Sequence, residues 1–186
     1  MNSNIEIVGL ILSLLNYCFV FLLIFNLLKV NYFNPIVSIF VKTYKPISKI
    51  LPTLISPIIN IFVLAIGLKL MSLIVYFGSQ YETITLLGVA IIQTLMVTIR
   101  IIFFAVIGGV ILSWVSPEKS NAFLELVVEI SYKSLEPIRK YIPSAGGIDF
   151  SPLFVLILIN LIESFLSDIL RSVSYTHLTL PTTGVV

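Results

Sequence analysis

The chain has 186 residues, of which 58% are hydrophobic and 11% are charged, with a formal net charge of +2 and a mean hydropathy of +1.11. Soluble chains are about half apolar and about a quarter charged, so a water-soluble fold of this length cannot bury so much apolar surface. The composition therefore predicts an integral membrane protein, and the small net charge excludes a polycationic nucleic-acid-binding protein.

Few residues offer reactive chemistry. The single cysteine, Cys18, lies inside an apolar run, so it has no disulfide partner and we expect it to be a buried apolar residue. The sequence contains no nucleophile–base pair, phosphate loop or spacing of metal ligands, which predicts a protein without enzymatic activity, cofactor or bound metal. We also expect no direct contact with nucleic acid.

Four apolar segments are long enough to be spans, because about 20 helical residues cross a hydrocarbon core of about 30 Å. They cover about residues 7–28, 57–77, 84–114 and 152–170. The third is longer than one crossing requires, so we expect it to tilt or to begin as an interfacial helix. No basic n-region or cleavage-site pattern accompanies the first, which predicts a retained span and not a cleaved signal peptide.

A basic surface segment with amphipathic periodicity follows the first span and another follows the third. In the first segment Pro35 suits an initial helical turn, Asn34 suits its cap, and Lys42 and Lys45 share a polar face. The polar stripe of the second segment consists of Glu125, Glu129 and Lys133. Both patterns predict short helices along the membrane interface, although helices packed on the bundle would show the same periodicity.

Lysine and arginine are concentrated in these two segments, whereas the short connector 78–83 has none. By the positive-inside rule both basic segments are expected to be cytoplasmic. The basic residues predicted to face the cytoplasm and its lipid surface are Lys42, Lys45, Lys49, Arg139 and Lys140.

An internal similarity divides the chain into two units. Residues 45–52 line up with 136–143, and Ser56-Pro57 lines up with Ser151-Pro152, each match being followed by a span. The predicted fold is therefore an all-α membrane protein with about four transmembrane helices in two repeats of span, interfacial helix and span. The first repeat covers residues 1–77, and the second covers 78–172 with its long third span.

A turn motif precedes the last span. Pro137 and Pro143, like Pro46 and Pro52 of the first copy, are expected to stop the preceding helix, and Gly146 and Gly147 give the chain freedom to reverse tightly. Ser151 and Pro152 then suit a helix start, with the Ser151 hydroxyl as cap and Asp149 near the positive end of the helix dipole. Binding of an anion or ion is the alternative use of this turn, and capping is the interpretation we favour.

Three charged residues, Lys69, Arg100 and Glu163, lie inside predicted spans. A charge in hydrocarbon costs a few kcal/mol or more unless it is paired or hydrated. Counting from Pro57 and Pro152 places Lys69 and Glu163 at similar depth, so Glu163 can pair with either cation. Such residues could line a path for an ion or proton, or could fix the register of the helices, which we favour.

The last part of the sequence has a different character. Residues 173–182 resemble a translated transposase-type sequencing adapter, so residues 173–186 are predicted to be an artefactual tail and not part of the fold. The only histidine, His177, lies in this tail and is given no functional role.

The motifs of the two segments resemble the repeated signature of the YggT family of small bacterial and plastid membrane proteins. The second copy matches at residues 136–140, Pro143 and residues 146–152, whereas the first keeps Asn34-Pro35, Pro46, Pro52 and Ser56-Pro57 without the Gly-Gly-x-Asp turn. The resemblance implies an inner-membrane or plastid-membrane protein without recognised enzymatic activity. It also implies loose links to division, nucleoid distribution, cofactor assembly in plastids, and osmotic or ion homeostasis.

Two functional hypotheses remain. The favoured one is a scaffold or assembly factor for division, cofactor or membrane-complex assembly, which presents basic interfacial helices to anionic lipid and to membrane-protein partners. The alternative is a small channel or transporter-like protein in osmotic or ion homeostasis, acting as a homo-oligomer because four spans enclose little lumen. Both hypotheses place a multi-pass protein in the bilayer of the cell inner (plasma) membrane.

Overall fold

The structure is a computed structural model that describes residues 3–50, 56–115, 121–142 and 149–178. Six helices occupy these residues: α1 (Ser3–Leu27), α2 (Pro35–Ile50), α3 (Pro57–Phe77), α4 (Thr83–Val115), α5 (Ala122–Arg139) and α6 (Ser151–Leu178).

Four of the helices, α1, α3, α4 and α6, are long and apolar enough to cross a membrane. Because the described elements are all helical, the predicted all-α class with four spans is confirmed. α2 and α5 are the short amphipathic helices that the sequence predicts. The order of span, short helix and span occurs in both halves, and the proposed duplication of residues 1–77 and 78–172 stays a prediction.

α4 is continuous over 33 residues, which corresponds to a length of about 50 Å and exceeds the hydrocarbon core by about 20 Å. The structure shows one unbroken helix and no separate interfacial segment at its start. Its C-terminal third packs against α5, where Gly108 and Gly109 allow the two backbones to approach. A Cβ atom at Gly108 would lie 2.9 Å from a methyl group of Val127, and one at Gly109 would collide with Ser131.

The largest hydrophobic core lies where the C-terminal half of α1 meets the other helices. Its fully buried members include Phe25, Val37 and Ile61 from α1, α2 and α3. Leu126 and Ile130 of α5 belong to the same cluster. The short helices are therefore part of the packed fold, because their buried faces complete the core that the spans begin.

α2 packs on α1 through aromatic rings. The Phe40 ring lies 5.7 Å from the Phe25 ring with an edge-to-face geometry, and Tyr44 lies 6.0 Å from Phe19 in the same manner. The outer side of α2 is exposed and includes the apolar residue Ile39. The amphipathic pattern is compatible with a helix along the membrane interface or with a helix packed on the bundle. The buried face of α2 packs on the bundle.

Two expectations are wrong. Pro46 does not stop α2, which continues to Ile50, and Pro137 does not stop α5, which continues to Arg139. A proline removes one amide donor. The residue after each proline, Ile47 or Ile138, packs against a hydrophobic core, which holds the last turn of the helix in place.

Cys18 is exposed and not buried, because α1 turns that side of the helix outward. Pro52 and Pro143 lie outside the described residues.

Candidate functional site

The linker between α1 and α2 is held by α5. The Asn34 side-chain amide donates to the Ala122 carbonyl at 2.8 Å, and the Asn31 backbone N–H donates to the Glu129 carboxylate at 2.8 Å. The Lys133 ammonium donates to the Lys29 carbonyl at 3.0 Å. We call the linker 28–34 with α2 and α5 the basic end of the bundle. These bonds fix both basic segments at the same end.

Lys29 lies two residues after the end of α1 and has a left-handed backbone conformation, with φ of 51°. The Val30 N–H donates to the Phe25 carbonyl at 2.9 Å, and the Lys29 N–H donates to the Asn26 carbonyl at 3.3 Å, which is the Schellman pattern of helix termination. Val30 is buried and secures the turn. The linker thus leaves α1 in a direction set by backbone hydrogen bonds and by Lys133 of α5.

Asparagines cap both short helices. The side-chain oxygen of Asn34 accepts from the Ile36 N–H at 2.9 Å, and the side-chain oxygen of Asn121 accepts from the Phe123 N–H at 2.8 Å. Asn34 therefore has two functions, since its amide also reaches α5. The sequence signals the cap but not the second bond, because Ala122 is 88 residues away in the chain.

The predicted basic residues divide into two groups. Lys42, Lys45 and Lys140 are exposed at the basic end, and the Lys49 side chain lies outside the described residues. Arg139 is instead engaged within the chain. Its Nε atom donates to Asp149 at 2.9 Å, and its guanidinium lies 4.9 Å from the centre of the Tyr132 ring.

The turn motif is described only in part, since Gly146 and Gly147 lie outside the described residues. Asp149 accepts a hydrogen bond from the Ser151 N–H at 2.9 Å. The expected hydroxyl cap is therefore wrong for Ser151, because α6 begins at Ser151 itself and Asp149 precedes it as the capping residue. Pro152 occupies the first turn of α6, as the sequence predicts.

The Asp149 carboxyl has a lowered pKa. Partial burial raises the pKa, but hydrogen bonds from Ser151 and Arg139 together with the positive charge of Arg139 lower it by more. The carboxylate is thus charged across the physiological range, and it joins α5 to α6 through the Arg139 ion pair at 2.9 Å.

Within the membrane span, Glu163 of α6 pairs with Arg100 of α4 and not with Lys69. Arg100 Nε donates to Glu163 Oε1 at 3.1 Å, and Nη2 donates to the same oxygen. The Arg100 side chain is 56% exposed and that of Glu163 is 24% exposed. Glu163 follows the start of α6 by about 18 Å of helix, so this ion pair lies near the middle of the apolar segment of α6.

Lys69 lies beside a series of polar contacts that joins α1 to α3. The Asn16 amide donates to the Ala65 carbonyl at 2.8 Å, and the hydroxyls of Ser13 and Ser72 are 2.8 Å apart. Hydrogen bonds between spans stabilise packing because lipid offers no alternative partner. Lys69 is partly buried, and no ion pair joins it to another residue of the described part of the chain.

Comparisons with known proteins match the region that contains the paired charges and the turn motif. Residues 88–170 match the model of the CCB3/YggT family. An uncharacterized protein of Haemophilus influenzae is 31% identical over 147 residues, which cover 76% of this chain and 79% of that protein. The chain belongs to the CCB3/YggT family.

Other relatives in the family have similar coverage. An uncharacterized protein of Pseudomonas aeruginosa is 30% identical over 149 residues, covering 75% of this chain and 76% of the relative. The uncharacterized protein YggT of Escherichia coli K12 is 28% identical over 151 residues, covering 76% and 77% respectively. No solved structure matches significantly. The resemblance to the YggT family is confirmed, and the four long apolar helices support a membrane protein, but the relatives' names state no activity.

The matched region of the CCB3/YggT model contains Arg100, Glu163, Arg139 and Asp149, whereas Lys69 and the lysines of α2 lie outside it. The residues inside the match are those that the structure joins in ion pairs between helices. Their chemistry is that of helix positioning, since each carboxylate is neutralised by an arginine of a neighbouring helix.

The described part of this CCB3/YggT chain also contains a cleft between α3 and α4, at the end opposite to the basic end. It has a volume of about 170 Å³, and its polar lining residues include Tyr81, Thr85 and Gln93. No group of three or more histidines, cysteines or acidic residues within the described ranges could hold a metal ion.

Proposed function

We propose that this protein is a scaffold or assembly factor of the cell inner membrane, and that its basic end faces the cytoplasm. On this proposal the exposed lysines bind anionic lipid headgroups and acidic surfaces of membrane-protein partners. The observation that carries it is the fixed position of the basic end, where Lys42, Lys45 and Lys140 are exposed on or directly after two short helices that pack in the core and that hydrogen bonds connect through the linker 28–34.

The basic residues of this end fall into a group with contacts inside the chain and a group of exposed lysines, and this difference supports the proposed role. Lys133 and Arg139 are used to hold the linker and the start of α6, so the remaining lysines keep their charge available to a partner. A charge near an anionic membrane surface contributes about 1 kcal/mol per lysine. Three lysines on one rigid surface would then supply about 3 kcal/mol, or about a hundredfold in affinity.

The ion pair in the span favours the scaffold over a channel. A conduction path needs charged groups that face water or a passing ion, whereas Glu163 is neutralised by Arg100 of the adjacent helix. Removing one partner of such a pair costs about 3–5 kcal/mol, because the other charge is left uncompensated in a low-dielectric environment. The scaffold proposal would be contradicted if reconstituted protein conducted ions selectively and Glu163→Gln abolished that flux.

The proposal is tested with the variant Lys42→Gln/Lys45→Gln/Lys140→Gln. The intact protein is reconstituted in nanodiscs that contain anionic and zwitterionic lipid, and the anionic lipid retained per protein is measured by native mass spectrometry. Cross-linked partners from native membranes are measured in parallel. Both signals should fall at least tenfold in the variant while membrane insertion persists, because the lysines do not contribute to the packed core.

The matched control is Glu125→Gln/Glu136→Gln, which changes charge on exposed carboxylates of the same end. It should retain or strengthen both signals, because it makes the surface more positive. Equal retention of lipid and partners by the lysine variant and the wild type would show that this surface has no such role.

A further inference from the structure

α6 differs from α1 and α3 in the exposure of its polar residues. In α1 and α3 the polar side chains of Asn16, Asn60 and Ser72 are buried between helices. In α6 a polar stripe faces outward from the bundle. We call it the α6 stripe, and its residues are Asn160, Glu163, Ser164, Ser167, Asp168 and Arg171.

The α6 stripe occupies about 140° of the helix circumference at about 100° per residue. The face that packs on the bundle contains Val155 and Ile159, so the stripe begins beside it at Glu163 and extends to the outer side. Asn160 and Ser164 are exposed at the depth of the ion pair, whereas Asp168 and Arg171 lie closer to the far membrane surface. The Asn160 amide donates to the Leu156 carbonyl at 2.8 Å within α6, but hydrocarbon offers no donor to its side-chain oxygen and no partner to the Ser164 hydroxyl, and such groups in spans normally face protein or water.

Arg100 adds to this surface from α4. Both of its donors in the ion pair go to Oε1 of Glu163, so the pair itself leaves Glu163 Oε2 and Arg100 Nη1 to other contacts. Together the α6 stripe and Arg100 carry two positive and two negative charges, and the surface is electrically neutral. A surface with both signs at matched depths is complementary to a copy of itself.

We propose that the α6 stripe with Arg100 is the interface of a homodimer whose two-fold axis runs along the membrane normal. All copies insert with the same sidedness, so the symmetry axis that relates them must be parallel to the membrane normal. The axis places equal residues at equal depth. Arg100 of each copy then lies near Glu163 of the second copy, and four charges alternate in sign around the axis.

The serines and Asn160 complete the interface. Small side chains allow two spans to approach closely, and an amide or hydroxyl can form hydrogen bonds across the axis. Lipid would meet the apolar outer residues of α6, such as Phe165, which lie on a different side of the helix. The dimer is independent of the role that we propose for the lysines of the basic end.

Disulfide cross-linking in native membranes tests this inference. The native cysteine is first removed with Cys18→Ser, and Ser164→Cys is compared with Phe165→Cys under copper phenanthroline. The two positions are adjacent and equally deep but differ by about 100° around α6. We expect a dimer band that is at least fivefold stronger for Ser164→Cys. Equal yields, no dimer from either variant, or cross-linking of Ser164→Cys only to a different protein would overturn the proposal.

A second measurement does not depend on oxidation. The variant Asn160→Leu/Ser164→Leu keeps the Arg100–Glu163 pair and replaces only two uncharged polar side chains with apolar ones, so it should still insert and fold. Dimerisation measured by fluorescence energy transfer between labelled copies in dilute vesicles should weaken at least tenfold, with helix content unchanged by circular dichroism. Wild-type energy transfer in this variant would contradict the interface.

Discussion

At the scale of single residues, Asp149 combines two tasks that the sequence suggests separately. It caps the first turn of α6 through the Ser151 N–H and it forms the ion pair with Arg139. Because the ion pair is more than one third exposed, solvent screens it and its contribution is below about 1 kcal/mol. The capping bond contributes about 1 kcal/mol, so capping is the larger of the two effects.

We expect Asp149→Ala to lower the free energy of unfolding in detergent by about 1 kcal/mol at pH 7. The pKa of Asp149 is lowered in the fold, so its stabilising effect is complete above the unfolded-state value of about 3.9 and is lost as the pH falls through the folded-state value. The difference between wild type and variant should therefore be constant from pH 8 to about 5 and shrink below about pH 4. Thermal melts followed by circular dichroism measure it.

Asp149→Asn is the matched control, because asparagine keeps a capping oxygen and removes only the charge. It should retain most of the stability lost in Asp149→Ala. If the stability difference between wild type and Asp149→Ala instead increased as the pH fell to 4, the assigned role of the carboxylate would be wrong.

At the scale of helices, the close contact between α4 and α5 depends on Gly109. A Cβ atom there would collide with Ser131 of α5, whereas a Cβ atom at Gly67 of α3 meets no atom within 4 Å. The first glycine is therefore required by packing, and the second is not. The sequence shows two adjacent glycines in a span but cannot show which helix lies against them.

We expect Gly109→Ala to lower stability by about 1–3 kcal/mol, because α5 must shift away from α4. Gly67→Ala should be neutral or stabilise by up to about 1 kcal/mol, because alanine favours the helix and no neighbour obstructs it. Unfolding in detergent, followed by size-exclusion chromatography after heating, compares the two variants. The added change Ser131→Gly should restore part of the stability of Gly109→Ala. Equal effects of the two alanines would contradict the packing of α5 on α4.

The sequence predicts much of the secondary structure, because its signals are local. Apolar runs of about 20 residues identify the spans, and Asn34 marks the start of α2. The bonds that hold the basic end are not predictable in the same way. Asn31 and Glu129 are 98 residues apart, and Lys29 and Lys133 are 104 residues apart, so no spacing rule connects them.

At the scale of the whole molecule, the contacts between the linker 28–34 and α5 make one surface of two segments that are far apart in sequence. Charge counting in the loops predicts that both segments lie on the same side of the membrane. The structure gives a physical reason for that arrangement, since Asn34 of the first half bonds to Ala122 of the second. Two of the described spans, α3 and α4, separate the two segments, which is consistent with it.

The central claim is that both basic segments form one surface on one side of the membrane, with the α3–α4 connector on the other. Site-directed labelling in a Cys18→Ser background tests it, with single cysteines at Lys42, Lys140 and Gln80. A membrane-impermeant maleimide should label Gln80→Cys in intact cells, and should label Lys42→Cys and Lys140→Cys only after the membrane is opened. Labelling of Lys42→Cys and Lys140→Cys from opposite sides would contradict the account.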